Sequence, residues 1–326
     1  MKQPNFFIVG APRCGTTALS RYLAAHPQIC LSRPKETHYL LRRPRHLSRD
    51  RWMRCYLHQF FGHCHSRHQA VGEGSVSYLY SAIAIRRILR LNPQARFIVA
   101  IRNPLDLLPS YHRRMLYLMQ EDREDFQTAW QLQQTRLQGE ALPPLCRDRR
   151  LLQYAEVGKM GKYLERLFKL VGRDRCLILV FDDFIHHPRW VYQQVCDFLG
   201  VEDDGRTEFP PAQVSRTYRY AWLQRLLFHP PEFLERWASH SSFDAPWMRW
   251  NRLLAIRLHR WLLQANSFPS QPPSLSPRMK AKLREVYTSD VERLSHLLGR
   301  DFSHWLRSPV RLQSSLNPHA TKDLIG

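Results

Sequence analysis

The sequence predicts an α/β chain in three layers, with a mainly parallel central sheet between helices and a helical C-terminal region. Three observations lead there. Between residues 5 and 200, short apolar runs that suit buried strands alternate with amphipathic helical segments. The first of these strands enters a glycine-flanked turn and then a helix, the local pattern of a phosphate loop. The 326 residues are 44% hydrophobic and 24% charged. That is enough for one large domain with additions, and it excludes a wholly disordered chain.

The elements follow in order. Residues 5–11 (NFFIVGA) read as a buried strand, PRCG as a turn, and TTALSRYLAAH as a helix with Leu19, Tyr22 and Leu23 on one face. Pro27 ends that helix, and residues 28–50 are basic and loop-like. In residues 51–61, Trp52, Tyr56 and Phe60 fall at i, i+4 and i+8, a stripe that suits a helix packed on a core. Residues 79–91 form a helix ended by Asn92-Pro93, and FIVAIR at 97–102 is a second strand. After the Asn103-Pro104 turn, a helix carries Ser110, Tyr111, Arg113 and Arg114. Residues 121–160 are a polar insertion broken at Pro143-Pro144.

Residues 160–171 are an amphipathic helix, and CLILVF at 176–181 is a third strand with Asp182-Asp183 as its polar exit. Residues 190–200 form a helix capped by Gly200. Residues 216–265 read as helical, with Trp222, Leu226, Trp237, Trp247, Trp250 and Trp261 either lining an apolar site or packing. A Pro/Ser link at 266–278 leads to a last amphipathic helix at 279–300. The expected organisation is a single domain over 1–326. Its α/β nucleotide-binding core occupies 1–210, and a mostly helical extension, 211–326, completes the cleft.

The net charge is +21, from 49 Lys plus Arg against 28 Asp plus Glu, and nearly all the cations are arginine. Arginine suits bidentate contact with phosphate, sulfate or carboxylate, so the excess points to an anionic partner. Composition alone leaves nucleic acid, a membrane surface, an acidic glycan and a polyphosphorylated cofactor open. No stretch reaches the roughly 20 apolar residues of a transmembrane helix, and the first apolar run reads as a core strand rather than a secretory signal. The seven cysteines are scattered. Free thiols in a reducing cytosol are the expectation. Cys55 and Cys64, with His58, His63, His65 and His68 around them, match no strong zinc pattern, so no metal is expected.

The sharpest local signal is GAPRCGTTAL, residues 10–19. Gly10 and Gly15 are spaced as in a Walker loop, but Thr16 follows where that loop has lysine, and the cation is Arg13. An ordinary nucleoside triphosphatase is therefore not expected. Backbone N–H groups at the helix start, with the hydroxyls of Thr16 and Thr17, suit an anion.

The segment PRCGTTAL resembles the 5′-phosphosulfate loop of sulfotransferases that use 3′-phosphoadenosine 5′-phosphosulfate (PAPS). FIVAIRNPLDLLPSYHRR, residues 97–114, resembles that family's 3′-phosphate segment, placing the binding pair on Arg102 and Ser110. RPKETHYL, residues 33–40, resembles a segment of the glycan-type members whose catalytic glutamate falls on Glu36. GKYLERLFKLVGRDRCLILVFDDF…FLGV is similar to the late helix, strand and acidic loop, and LREVYTSDVERLSHLLGRDFSHW to the closing segment of bacterial members. One departure stands out. Glycan-type relatives carry a site lysine where this chain has Gly74, so a cation is either missing there or supplied from elsewhere, with Lys35 or an arginine of 42–54 as the candidates.

The resemblance implies transfer of a sulfuryl group from PAPS to a hydroxyl acceptor, a glycan or glycoconjugate, by in-line attack. It implies that Arg13, Cys14, Gly15, Thr16, Thr17 and Ala18 hold the 5′-phosphosulfate and that Arg102 and Ser110 clamp the 3′-phosphate. Glu36 is the base, and 3′,5′-ADP leaves without a metal. His38 is the rival base. Glu73 either organises the site or pairs with an arginine, and Arg216 and Arg219 are candidates to close over the nucleotide. A lipid, phenolic or tyrosine acceptor is the alternative. A non-enzymatic anion or nucleic-acid binder on this fold is another, although no zinc-finger, RRM-like or helix-turn-helix signature is visible. A degenerate, inactive fold is the last. The cytoplasm is the expected compartment, with a monomer or a dimer.

Overall fold

β1 (Phe6–Gly10), β4 (Arg96–Ile101) and β5 (Cys176–Val180) are the apolar runs expected from the sequence, and β1 is buried along its whole length. Continuous burial suits strands covered on both faces. The structure, a computed structural model, describes residues 2–44, 46–210, 215–230, 257–271 and 274–307. Two further strands complete the sheet: β2 (Ile29–Leu31) and β3 (Ala70–Gly74). The order is β2-β3-β1-β4-β5, and every pairing is parallel. Helices cover both faces, as the α/β reading requires.

β2 corrects the reading of 28–50 as loop, and β2 and β3 are two strands that hydropathy did not signal. β3 reads AVGEG, with no apolar alternation, yet all five residues are buried. Gly72 is needed there because an added Cβ would lie 2.2 Å from the Phe6 ring. β1 has β3 on one side and β4 on the other, so the chain order reverses at β1. A crevice opens at the C-terminal end of the strands at such a point.

The helices place side chains as their periodicity requires. In α1 (Thr16–Ala24), Leu19, Tyr22 and Leu23 are buried. In α2 (Arg49–Phe61), Trp52, Tyr56 and Phe60 are buried, and Tyr39 stacks on Trp52 and Tyr56 at 5.2 and 5.3 Å. The stripe is therefore core packing. α3 (Ala82–Leu91) leads into β4, and α4 (Pro104–Tyr117) follows it. The polar insertion holds α5 (Phe126–Gln131), α6 (Gln133–Gln138) and α7 (Tyr154–Val157). It is tied down by Arg136, which is wholly buried and donates to both carboxylate oxygens of Glu121 at 2.6 and 2.7 Å. The Tyr154 hydroxyl donates to the same carboxylate at 2.6 Å. Burial raises the Glu121 carboxyl, but the bonds from Arg136 and Tyr154 outweigh it and the net direction is down.

α8 (Met160–Val171) receives the long C-terminal helix Pro277–Leu298. Asp290 accepts from the backbone N–H groups of Gly161 and Lys162 at 2.8 and 2.9 Å, capping α8 from outside its own sequence. The helices touch closely: a Cβ on Gly161 would lie 2.4 Å from the Asp290 carbonyl oxygen. After β5, the expected polar exit is itself helical, α9 (Phe181–His186), and α10 (Pro188–Leu199) ends at left-handed Gly200. Beyond it, β6 (Arg216–Tyr218) pairs antiparallel with β7 (Ser267–Pro269), and α11 (Ala221–Phe228) lies between them in sequence. Trp222 and Trp261 are 67% and 61% exposed, so neither is packed in the core, and neither lines the cavity at the end of β1. Trp237, Trp247 and Trp250 lie outside the described residues.

The expectation that every cysteine is a free thiol is overturned. Cys30 and Cys64 form a disulfide that ties β2 to the turn after α2. The thiols of Cys14, Cys55, Cys146, Cys176 and Cys196 are free.

Two stability outcomes follow. Arg136→Ala strands a buried carboxylate and lowers stability by about 3–5 kcal/mol in urea unfolding, whereas replacing Arg136 and Glu121 together by apolar residues of similar volume costs far less. Equal losses for the single and double variants would show that the pair is not what holds the insertion. Gly161→Ala lowers Tm by forcing the C-terminal helix off α8, while an alanine at Gly172, which has open space around it but a left-handed φ of +85°, costs only backbone strain.

Candidate active site

The loop after β1 sits at the mouth of the crevice. Gly15 is left-handed at φ 81°, and a Cβ there would meet the Phe184 ring at 2.9 Å. This turn starts α1 with no side-chain cap and no acidic residue in its first turn, leaving its N–H groups to an external anion. A cavity of about 440 Å³ opens there. Arg13, Gly15, Thr16, Thr17 and Ala18 line it from the loop and α1, and Arg102 and Ser110 line it from the end of β4 and from α4. Five of the six loop residues expected at the anion, together with the distant pair, thus face one space. Cys14 does not. Its thiol is buried and pushed up to about 12 by desolvation, so only its backbone can serve the cavity.

Arg13 is the hub. Its Nε donates to Ser110 Oγ at 2.9 Å and its Nη2 to Ser215 Oγ at 2.8 Å. Arg102 Nη1 donates to the Arg13 carbonyl at 3.2 Å, and its guanidinium lies 4.3 Å over the Phe181 ring. Burial, with the charges of Arg114 and Arg102, lowers the Arg13 guanidinium to about 10. Among the described residues, none of these three arginines has a carboxylate at ion-pair distance. Packed cations that outnumber their counter-charges make a site complementary to an anion. Tyr22, Phe184 and Phe209 add an aromatic wall, with Tyr22 edge-on to Phe209 at 5.2 Å.

Glu36 stands on the segment that leaves β2. Its carboxylate pairs with Lys35 and lies 3.7 Å from His38 Nε2. Burial raises this carboxyl, but His38 and Lys35 prevail and hold it at about 2. Its charge is felt by both Arg13 and Arg114. His38 Nδ1 bonds Ser77 Oγ at 2.6 Å, which orients the ring. Glu73 resolves as an organiser, not the partner of an arginine. It is wholly buried and accepts from Thr37 at 2.7 Å and from the hydroxyls of Tyr56 and Ser75. Thr37 lies between Glu36 and His38, so Glu73 holds the segment that presents both.

The space at Gly74 is filled from Lys35. A Cβ on Gly74 would lie 3.5 Å from Lys35 Cε and 3.2 Å from Ser20 Oγ, a buried hydroxyl without a partner among the described residues. Arg216 turns instead to Ser267, 3.1 Å away, and does not line the cavity. Its neighbour Ser215 does, and the sequence offers no signal for it. Tyr22 and Arg114 were likewise read only as helix residues, Phe184 only within an acidic loop, and Phe209 was not singled out. The zinc-like cluster is displaced too: the residues brought together are Cys30, His63 and Cys64, without Cys55.

Comparison with known proteins agrees with this geometry. The chain is 26% identical over 249 residues to carbohydrate sulfotransferase 15 of mouse and of human, a match covering 61% of this chain and 44% of each relative. The chain thus spans less than half the length of those relatives. A sulfotransferase from Alicyclobacillus acidocaldarius has the same fold, with a TM-score of 0.63 at 23% identity over 94% of this chain and 100% of that one. The sulfotransferase domain model matches residues 3–246, which include every residue lining the cavity, and the chain belongs to that family.

Proposed function

We propose that the protein transfers the sulfuryl group of PAPS to a hydroxyl of a glycan or glycoconjugate. The observation that carries this reading is the convergence of Arg13, Arg102 and Ser110 on one cavity with the open start of α1. Its volume suits a nucleotide, and the aromatic wall suits a base. PAPS would supply the sulfuryl group and a phosphate leaving group. Arg13 and the α1 N–H groups with Thr16 and Thr17 would hold the 5′ end, where charge grows on the departing oxygen. Arg102 and Ser110 would read the 3′-phosphate. That Ser215 lines the cavity supports a single domain in which residues 211–326 complete the cleft.

Glu36 is the base in this reading. It is ionised at neutral pH, and its link to Lys35 keeps it weakly basic. An acceptor hydroxyl that takes the place of Lys35 raises that basicity as it arrives, and Lys35, lying over Gly74, supplies the cation that relatives place there. The match to carbohydrate sulfotransferases supports a sugar acceptor. No helix among the described residues is long and apolar enough to cross a membrane. A cytoplasmic site of action is part of the proposal; there the Cys30–Cys64 pair would change with redox conditions rather than stay oxidised.

Transfer of labelled sulfate from PAPS across saccharide, lipid and phenolic acceptors tests the reading. Failure with every acceptor, joined to an absence of 3′,5′-ADP binding, would overturn it. Glu36→Gln lowers kcat by about 100-fold or more with the donor KM little changed. Because the Glu36 carboxyl lies below its ordinary value, its base form is lost only as pH falls towards about 2. The wild-type kcat/KM profile therefore lacks an acid limb at the usual carboxylate midpoint of about 4.3. A limb there that disappears in Glu36→Gln would contradict the geometry. Arg102→Ala weakens 3′,5′-ADP by about 10-fold or more while leaving 5′-AMP, which has no 3′-phosphate, unchanged. An equal loss for both nucleotides would remove Arg102 from the 3′-phosphate.

A further inference from the structure

A second cavity, also about 440 Å³, lies at the sheet edge formed by β2, between α1 and the turn after α2. Its wall includes Cys30, His63, His65, His68, Arg33 and Arg67. None of these residues takes part in the proposed transfer. The ligand atoms of Cys30, His63 and Cys64 all lie within 4.8 Å of one another. Cys30 and Cys64 are joined as a disulfide; both are buried, and Cys30 forms part of the cavity wall.

His63 makes one hydrogen bond of the kind that a metal-bound imidazole makes. Its Nε2 lies 3.0 Å from the Leu31 carbonyl oxygen. A carbonyl only accepts, so Nε2 carries the proton and Nδ1 keeps its lone pair. A histidine that ligates a metal commonly donates its other N–H to a backbone carbonyl in this way. Two sulfurs and one imidazole nitrogen are a soft donor set that suits a tetrahedral divalent cation.

We propose that Cys30, Cys64 and His63 form a zinc site that exists only when the disulfide is reduced, its fourth position facing the cavity where His65 and His68 stand. The chemistry balances. A dithiol delivers two electrons and two protons to the S–S bond, giving two thiols and leaving as its own disulfide. Zn²⁺ then displaces both thiol protons. Two thiolates cancel the charge of the cation, so the loaded site is neutral beside Arg33 and Arg67, which themselves favour the thiolates. A small-molecule disulfide takes two electrons from the thiolates and leaves as two thiols, which re-forms the S–S bond, removes both sulfur ligands and releases Zn²⁺. The site thus holds β2 to the turn after α2 in either state, by a covalent bond or by a metal.

Co²⁺ is the probe, because thiolate ligation gives it a charge-transfer band that oxygen and nitrogen ligands do not. The full chain is prepared metal-free, either oxidised or reduced with a dithiol that is then removed under anaerobic conditions. The reduced chain should take up about one Co²⁺ with that band, Zn²⁺ should displace it, and reoxidation should abolish it. Cys30→Ser, Cys64→Ser and His63→Ala, measured reduced and checked for a cooperative melt, should each weaken uptake more than about 10-fold. Zn²⁺ should also raise the Tm of the reduced wild-type chain and not that of the oxidised chain. The wild-type comparison stands even where a variant fails to fold. Equal uptake by oxidised and reduced chains, or wild-type uptake by the folded serine variants, would overturn the proposal.

Discussion

A carboxyl group with no exposure to water must find its hydrogen-bond donors inside the protein, and Glu73 is that constraint here. Its donors are the hydroxyls of Tyr56, Ser75 and Thr37, from three separate segments. Satisfying the carboxylate therefore fixes α2, the exit of β3 and the segment carrying Glu36 with respect to one another. The same network reaches further. Ser75 Oγ accepts from the His38 backbone N–H at 3.0 Å, and the Tyr78 hydroxyl accepts from the Leu40 N–H, also at 3.0 Å. A buried polar network of this kind is rigid when every member is paired, and rigidity is what a proposed base needs.

The backbone carries the matching signature. Arg13, Glu36 and His38 have φ values of 65°, 63° and 49°, in the left-handed region that residues with a Cβ seldom occupy. Such conformations cost about 1–3 kcal/mol each and persist where their surroundings over-determine them. For Arg13 the surroundings are the bonds to Ser110, Ser215 and Arg102. For Glu36 and His38 they are the bonds to Gly74 and Ser75 in and after β3. Three of the five non-glycine residues with positive φ among the described residues thus lie on segments that present charge to the cleft, and β1 beneath them shifts register against β4 between Ile8 and Gly10.

The legible parts of this fold were those whose signal is local. β1, β4 and β5 announce themselves as apolar runs, and the helix Met160–Val171 as an apolar stripe, because continuous or periodic burial writes itself into neighbouring residues. β3 could not be read that way, since its place was secured by glycine at a ring contact and by Glu73 in a hydroxyl cage. At the site, the loop cation, Arg102 and Ser110 were legible because a phosphate loop and a strand-end arginine are compact motifs. Ser215 was not, because its role arises from a contact with Arg13 across 202 positions of sequence. The Cys30–Cys64 pairing was hidden for a related reason: seven cysteines allow many pairings, and only the fold brings these two together.

The hydrogen bonds from Arg13 to Ser110 and Ser215 also mean that the cleft is self-occupied before anything enters it. An incoming ligand meets the open N–H groups of α1, but it competes with two neutral hydroxyls for two of the five N–H donors of Arg13. A neutral molecule gains nothing by that exchange, whereas a multiply charged oxygen trades up to a charge-assisted bond. Selectivity for highly charged anions is therefore set partly by what must be displaced. Because one of the displaced hydroxyls belongs to the chain beyond residue 210, filling the cleft also alters how that later segment is anchored.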